Sequence, residues 1–407
     1  MVKHDAFFDV NKKAAALLKH AVLRRYLATF TARLGSTSLG HRVGFVDGYA
    51  GPGTYVNLKS GVVSSGSPKI ALDIAANLIA RDRHLECIFV EQNKGIFRRL
   101  QALVAEAETP AQAWSGDISD HLATALQQLA GVPTLVFLDP FGAPVDIGHT
   151  VDTILRRPGQ VPTELLLNFS MDAMRRIGGR LLEATDASGR EKTLARADAW
   201  LGGDWWRPYF TDLPKPAPPD AIDTAASDVA REYNRRVGAA TGCSSFTIPI
   251  RRRAHHKPIF MLTLFFPRAI AAFAYNEAVS LALQEWRREM SDLEVNDAAR
   301  RQEREGSSLG DESPEELRYI LDAAAKQFDI DLIDDIVLNL RSQLAEHAAL
   351  SVDRQMQLVF GPSLGAAREM HLRRAWKQLH AEGLVADPPP RKLEHSTIRK
   401  ASSARFQ

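Results

Sequence analysis

The chain has almost no cysteine: Cys87 and Cys243 are the only thiols in 407 residues. They form no CxxC pair, so neither a structural zinc nor an iron–sulfur cluster held by this chain alone is expected, and no metal site is expected. Two thiols do not make a disulfide framework, which fits a cytoplasmic setting. Long apolar runs are missing too, and nothing approaches the ~20 residues of a membrane-spanning helix. The first residues are charged (Lys3, His4, Asp5) where a secretory leader would be apolar. Charge of one sign is also lacking: 51 Lys and Arg stand against 49 Asp and Glu, a net +2. Any hold on a polyanion must come from local clusters rather than from the sum. The remaining composition, 45% apolar and 25% charged, is ordinary for a globular protein long enough for two domains and a small third one.

One stretch organises the rest: residues 42–53, Arg-Val-Gly-Phe-Val-Asp-Gly-Tyr-Ala-Gly-Pro-Gly. Val43 to Val46 reads as a buried strand that ends at Asp47, after which Gly48, Gly51 and Gly53 crowd into a turn. Glycines there let the backbone approach a ligand, as nucleotide-like ligands require at the carboxyl ends of strands in doubly wound folds. The spacing departs from G-x-G-x-x-G, so a dinucleotide fingerprint is not met. A structural turn that is merely glycine-rich is the alternative. D-G-x-x-G-x-G resembles the first motif of class I S-adenosylmethionine-dependent methyltransferases. That resemblance implies that Asp47, Gly48, Tyr49, Gly51 and Gly53 bind the cofactor.

The chain in order supports an α/β, Rossmann-like sheet. Residues 12–34 form an amphipathic helix whose Lys12, Lys13, Lys19, Arg24 and Arg25 make a solvated basic face. A Gly/Ser-rich loop, 54–68, lies beside the turn, where a loop that long can serve as a lid. Ser67 is placed to cap the helix that follows, with Pro68 at its first position. The second strand, Glu86 to Val90, ends at Glu91, placed to accept hydrogen bonds from ribose hydroxyls unless it is a plain surface glutamate. Gly116-Asp117 ends a third strand; Asp117 is either the adenine contact, as in methyltransferases, or the cap of a helix at 119–130.

The fourth strand, Thr134 to Leu138, breaks at Asp139-Pro140-Phe141-Gly142. Asp139, Pro140 and Phe141 are left at the sheet's open end, beside Asn168-Phe169-Ser170 at the end of a fifth strand. An acid, an amide and a ring there suit alignment of an amine and stacking of a base held outside its duplex. The D-P-F-G ending resembles that of tRNA guanine dimethyltransferases; an Asp-Pro turn is the alternative. Residues 171–240 read as a helical insertion with a Trp-rich small core at Trp200, Trp205 and Trp206. Two β-runs, Phe246 to Ile250 and Ile259 to Phe266, close the sheet as a hairpin, as class I methyltransferases do. Its turn carries Arg251, Arg252, Arg253 and Lys257, either a phosphate grip on RNA or DNA or a solvated tip.

These features divide the chain into a methyltransferase-like domain (1–290), a charged linker (291–312), a small winged-helix-like domain (313–395) and a disordered basic tail (396–407). The small domain reads as helices near 314–327, 331–346 and 365–382, the last bearing Arg373 and Arg374 for nucleic acid. Taken together, Tyr26-Leu27, Asp47 to Gly53, Gly66-Ser67-Pro68, Glu91, Gly116-Asp117, Asp139 to Gly142 and Asn168 to Ser170 resemble the three-Cys-motif partner family of bacterial proteins, with Tyr49 where that family commonly has Phe. The resemblance spans roughly residues 12–290. It implies a class I methyltransferase fold, S-adenosylmethionine as cofactor, and a companion protein related to radical S-adenosylmethionine enzymes. The expected function is methyl transfer to an exocyclic amine of RNA or DNA. A non-catalytic partner of the companion protein, or a cofactor-sensing DNA-binding regulator, is the rival.

Overall fold

The computed structural model describes residues 10–56, 63–140, 146, 148, 150–157, 161–182, 189–218, 220–253, 255–305 and 312–401. They fall into two compact units, one up to Arg268 and one from Ala269.

The first unit is built on a seven-stranded sheet. β1 (Arg42–Asp47), β4 (His84–Glu91), β6 (Thr134–Leu138) and β7 (Thr163–Ser170) are buried along nearly their whole length. Their continuous apolar runs are what a parallel strand covered on both faces requires. β5 (Ala111–Ser115) closes one edge, and the antiparallel pair β8 (Ser244–Ile250) and β9 (Phe260–Phe266) closes the other. The order is β5-β4-β1-β6-β7-β9-β8, with β9 antiparallel to β7. Counting only these strands along the chain, the order is 3-2-1-4-5-7-6. The chain first builds outward from β1 through β4 to β5, then resumes on β1's other side at β6. That reversal makes the carboxyl ends of β1 and β6 the topological switch point.

α1 (Val10–Leu34), α2 (Ser67–Ile79), α3 (Lys94–Ala105) and α4 (Ile118–Gln128) accompany the first strands. The loop expected over 54–68 contains a short antiparallel pair, β2 (Thr54–Val56) with β3 (Val63–Ser65). Residues 57–62 lie outside the description. Ser67 is not the cap of α2; Gly66 holds that position without a side-chain bond, and Ser67 is already helical and buried. Beyond β7 come α5 (Met171–Leu182), α6 (Arg190–Leu201), the single turn α7 (Pro208–Thr211) and α8 (Ala221–Thr241). Their core is aromatic: Trp200, Trp206 and Phe210 are buried, and Trp200 and Tyr233 close on Phe169 with ring centroids 4.8 and 5.6 Å away. Phe169 therefore serves this packing and not the acceptor side where the sequence put it.

The second unit begins with α9 (Ile270–Glu305), so residues 291–305, read as linker from their charge, continue a helix. α10 (Pro314–Glu346) is one helix where two were expected, since Asp329-Ile330-Asp331 contains no breaker. Its start carries a capping box in which Ser313 Oγ accepts from Glu316 N at 3.2 Å and Ser313 N donates to Glu316 Oε2 at 2.9 Å. β10 (Ala349–Ser351), α11 (Met356–Phe360) and α12 (Glu369–Ala381) follow. β11 (Thr397–Arg399) then pairs antiparallel with β10, which corrects the disordered-tail expectation for those residues. Residues 402–407 lie outside the description.

Candidate active site

At the end of β1, Asp47 is fully buried. Its Oδ1 accepts the Tyr49 N–H at 3.1 Å, while Oδ2 has no hydrogen-bond partner among the described residues. Burial pushes its carboxyl up to about 7; the nearby Ser67 hydroxyl and the Tyr49 N–H oppose the rise, and the negative charges of Asp139 and Glu91 add to it. Ser67 lies close enough to be felt but not in bonding geometry with Oδ2.

The glycine turn folds back over this acid. Gly51 and Gly53 have φ of +67° and +80°, the left-handed region that glycine enters without strain. Gly48 is needed for a different reason. A Cβ there would stand 2.6 Å from Leu138 Cδ2 and 2.8 Å from Ile118 Cγ1, so it lets the turn sit against β6 and α4. Tyr49 is half-buried against the hydrophobic core. Glu91, buried at the end of β4, accepts the Gly51 N–H at 3.0 Å and the Asn93 N–H at 2.7 Å. One carboxylate thus ties the glycine turn to the neighbouring strand while retaining lone pairs. Asp117 is exposed and caps α4, its Oδ1 accepting from Ser119 N at 2.9 Å.

The acceptor side lies one strand over. The pairing of Leu138 with Leu167 brings Asp139 beside Asn168. Asn168 Nδ2 donates to Asp139 Oδ1 at 2.7 Å, and the ammonium of Lys19 pairs with Oδ2. Lys19 is only 7% exposed and lies 5.4 Å from the centre of the Phe260 ring. It belongs to the site and not to a solvated basic face. The sequence offers one hint of this: Lys19 directly follows Leu17-Leu18 at the apolar edge of the helix. Asn168 Oδ1 is buried without a hydrogen-bond partner among the described residues. Pro140 is buried; Phe141 and Gly142 lie outside the described residues. Ser170 caps α5 by accepting from Ala173 N at 3.2 Å.

Tyr55, on β2, is a residue the sequence did not point out. Its hydroxyl oxygen lies 2.8 Å from where a Cβ on Gly51 would stand. Burial, then the negative charges of Asp139, Asp47 and Glu91, raise its phenol above the ordinary range. A phenol that feels all three acids marks one anionic mouth.

The β8–β9 turn opens at the same end of the sheet, because Ser170 pairs with Phe260 and Met171 N donates to Ile259 O at 3.0 Å. Arg251 is half-buried and Arg253 exposed. Arg252 lies 4.0 Å from Asp172. Lys257 is ion-paired with Asp220 at 2.7 Å and with Asp223, so its charge already serves the fold. In the second unit Arg373 pairs with Glu369 at 2.8 Å and donates to the carbonyls of Pro389 and Arg391, whereas Arg374 is exposed. Among the described residues no group of three or more His, Cys, Asp or Glu is placed to hold a metal ion.

A mostly parallel sheet reversing at β1, and closed by an antiparallel seventh strand inserted before the sixth, decides the architecture. The fold is methyltransferase-like. No family model matches the sequence. No curated protein matches it either. Among solved structures, protein LPL1258 from Legionella pneumophila str. Philadelphia 1 is similar, with a TM-score of 0.34 and 10% identity over 62% of this chain and 85% of that one.

Proposed function

We propose that this protein is an S-adenosylmethionine-dependent methyltransferase acting on an exocyclic amino group of a nucleobase in RNA or DNA. The observation that carries the reading is Asp47: a buried carboxyl with one oxygen unpartnered among the described residues, at the switch point of the sheet, beside Glu91 and a left-handed glycine turn. A buried acceptor of this kind is costly unless a donor reaches it. The acids around it favour a cationic ligand, and S-adenosylmethionine carries an ammonium and a sulfonium. Asp47 and the Gly48–Gly53 turn would hold its methionine end, Glu91 its ribose, and the region of Asp117 its adenine.

When bound, the cofactor supplies an electrophilic methyl group. The chain's own contribution is alignment: Asp139, Asn168 and Lys19 form a fixed polar corner at the end of β6. The exposed Arg253 and the half-buried Arg251 stand at the same end of the sheet, which supports a polyanionic substrate. Arg374 and the rest of α12 offer the second unit's contact for nucleic acid or for a companion protein. The expected setting is cytoplasmic; no described helix is long and apolar enough to cross a membrane.

Calorimetric titration with S-adenosylmethionine, followed by transfer of a tritiated methyl group onto total RNA and genomic DNA, tests the reading. Binding that is lost in Asp47→Ala, together with label on nucleic acid, supports it. Binding with no transfer favours a non-catalytic partner or a cofactor sensor instead.

A further inference from the structure

We infer that the group orienting the methyl acceptor is the side-chain carbonyl of Asn168, held by Asp139 and Lys19 as a positioning pair, and that the acceptor is therefore a neutral amino group and not an ammonium. The inference rests on the methyltransferase reading above and narrows its substrate class.

Asp139 has little left to offer a substrate. Its Oδ1 receives the Asn168 amide at 2.7 Å, and its Oδ2 receives the Lys19 ammonium. An ionised carboxylate only accepts, so the amide must turn its NH2 end towards it. The orientation of Asn168 is thus fixed by chemistry, where amide orientation is otherwise an assignment. Oδ1 is consequently the free end. It is buried on a residue with no exposed surface, and no described donor reaches it. Two buried oxygens near the carboxyl ends of β1 and β7, the strands on either side of β6, share this condition among the described residues, Asp47 Oδ2 and Asn168 Oδ1. The first is accounted for by a cationic cofactor. The second calls for a separate N–H donor, on the side where strand β6 breaks.

The charge balance selects the kind of donor. Lys19 and Asp139 cancel one another, and both side chains are largely withdrawn from water, at 9% and 16% exposure. What faces a substrate is a carbonyl dipole with no net charge. A neutral amino group fits that: one N–H is given to Asn168 and the nitrogen lone pair stays free to attack. An ammonium has no lone pair, and Asp139, already paired with Lys19, offers it no free carboxylate beside Asn168. As the nitrogen lone pair forms its bond to the methyl carbon, the pair of the broken carbon–sulfur bond stays on sulfur, and an N–H proton passes to water. Asp139 then acts through Asn168, and Lys19 through Asp139.

The test uses the full chain as wild type and as N168A, N168S, D139N, K19M and K19R. S-adenosylmethionine affinity is read by calorimetry, and tritiated methyl transfer is followed on total RNA, genomic DNA and poly-L-lysine. Wild type is expected to label nucleic acid and leave poly-L-lysine unlabelled. N168A should lose about a hundredfold or more in turnover with cofactor affinity within about threefold, the pattern of a lost transition-state contact. N168S gives the same reading should N168A fold poorly. D139N keeps an oxygen for the amide and should lose only about tenfold. K19M should lower turnover with cofactor affinity kept within about threefold, and K19R should restore it. A D139N loss as large as that of N168A, with cofactor bound normally, overturns the assignment and leaves the cofactor reading intact. Label on poly-L-lysine overturns the neutral-amine class. No cofactor binding by wild type, or binding without transfer to any of the three, removes both the inference and the reading beneath it.

Discussion

Lys19 and Asp139, 120 residues apart in the chain, form an ion pair at the mouth of the parallel sheet. The pair ties the first helix to the end of the fourth parallel strand. Removing one partner leaves a largely buried charge uncompensated, which in other proteins costs about 3–5 kcal/mol. Lys19→Met is expected to lower stability by roughly this order, and Lys19→Met with Asp139→Leu to recover part of it. Urea unfolding of the four proteins in the cycle gives the coupling directly.

Asp47 sets a dependence on pH. Its folded pKa of about 7 stands above the ordinary carboxyl value of 3.8, so its contribution to stability is complete below about 4 and is lost as pH rises through 7. Glu164, raised to about 7 by burial against the Tyr26 hydroxyl's opposing hydrogen bond, acts in the same direction and window. Asp47→Asn should therefore gain stability over wild type at pH 8, by about 1–3 kcal/mol, and little at pH 4. Denaturant midpoints at the two pH values check this; an equal gain at both would remove ionisation as its cause.

Binding a cation beside Asp47 should expel its proton. Near pH 7, where about half of the molecules carry that proton, S-adenosylmethionine binding should release roughly half a proton per site. Calorimetry in two buffers of different ionisation enthalpy measures it. Asp47→Asn should show none of this release and should bind at least about tenfold more weakly.

The turn glycines should differ in their tolerance of a methyl group. At Gly53 a Cβ would fall 2.2 Å from Leu103 Cδ2 on a backbone with φ of +80°. Gly53→Ala should cost about 2–4 kcal/mol, combining strain with overpacking. At Gly51 the φ of +67° remains, but the near atom is the Tyr55 hydroxyl, at the end of a side chain that can move. Gly51→Ala should cost about 1–2 kcal/mol, the smaller loss in thermal unfolding.

Phe169→Ala should destabilise the first unit by about 3–5 kcal/mol without changing cofactor affinity, since its ring packs between Trp200 and Tyr233. A change in affinity with stability unaltered would put the ring back on the acceptor side.

Much of the sheet was legible because buried parallel strands announce themselves as short apolar runs that stop at an acid: Asp47, Glu91 and Asp139 each follow such a run. The β8–β9 hairpin was legible from two β-rich apolar runs on either side of a basic turn. What was hidden depends on contacts distant in sequence. Lys19 looks like any basic residue on an amphipathic helix until Asp139 is brought to it. Phe169 and Asn168 are adjacent, and strand alternation sends them to opposite faces; the sequence does not say which face holds the insertion. Lys257 reads as a free cation because Asp220 and Asp223 are matched to it only in three dimensions, whereas Arg373 has Glu369 four residues before it on the same helix, a match the spacing does offer. Charge density misled at 291–305, where a helix tolerates a highly charged run with only Leu293, Val295, Ala298 and Ala299 as apolar positions.

The ladder between β10 and β11 bears on how the protein is handled. Ile398 is sealed from solvent, and Val352 N donates to Ser396 O at 3.0 Å. Trimming the chain at 395, which its basic, low-complexity ending invites, strips a strand from the small unit and bares the groove that Ile398 fills. Shortened versions made for crystallisation should keep Ala401, and an affinity handle belongs beyond it.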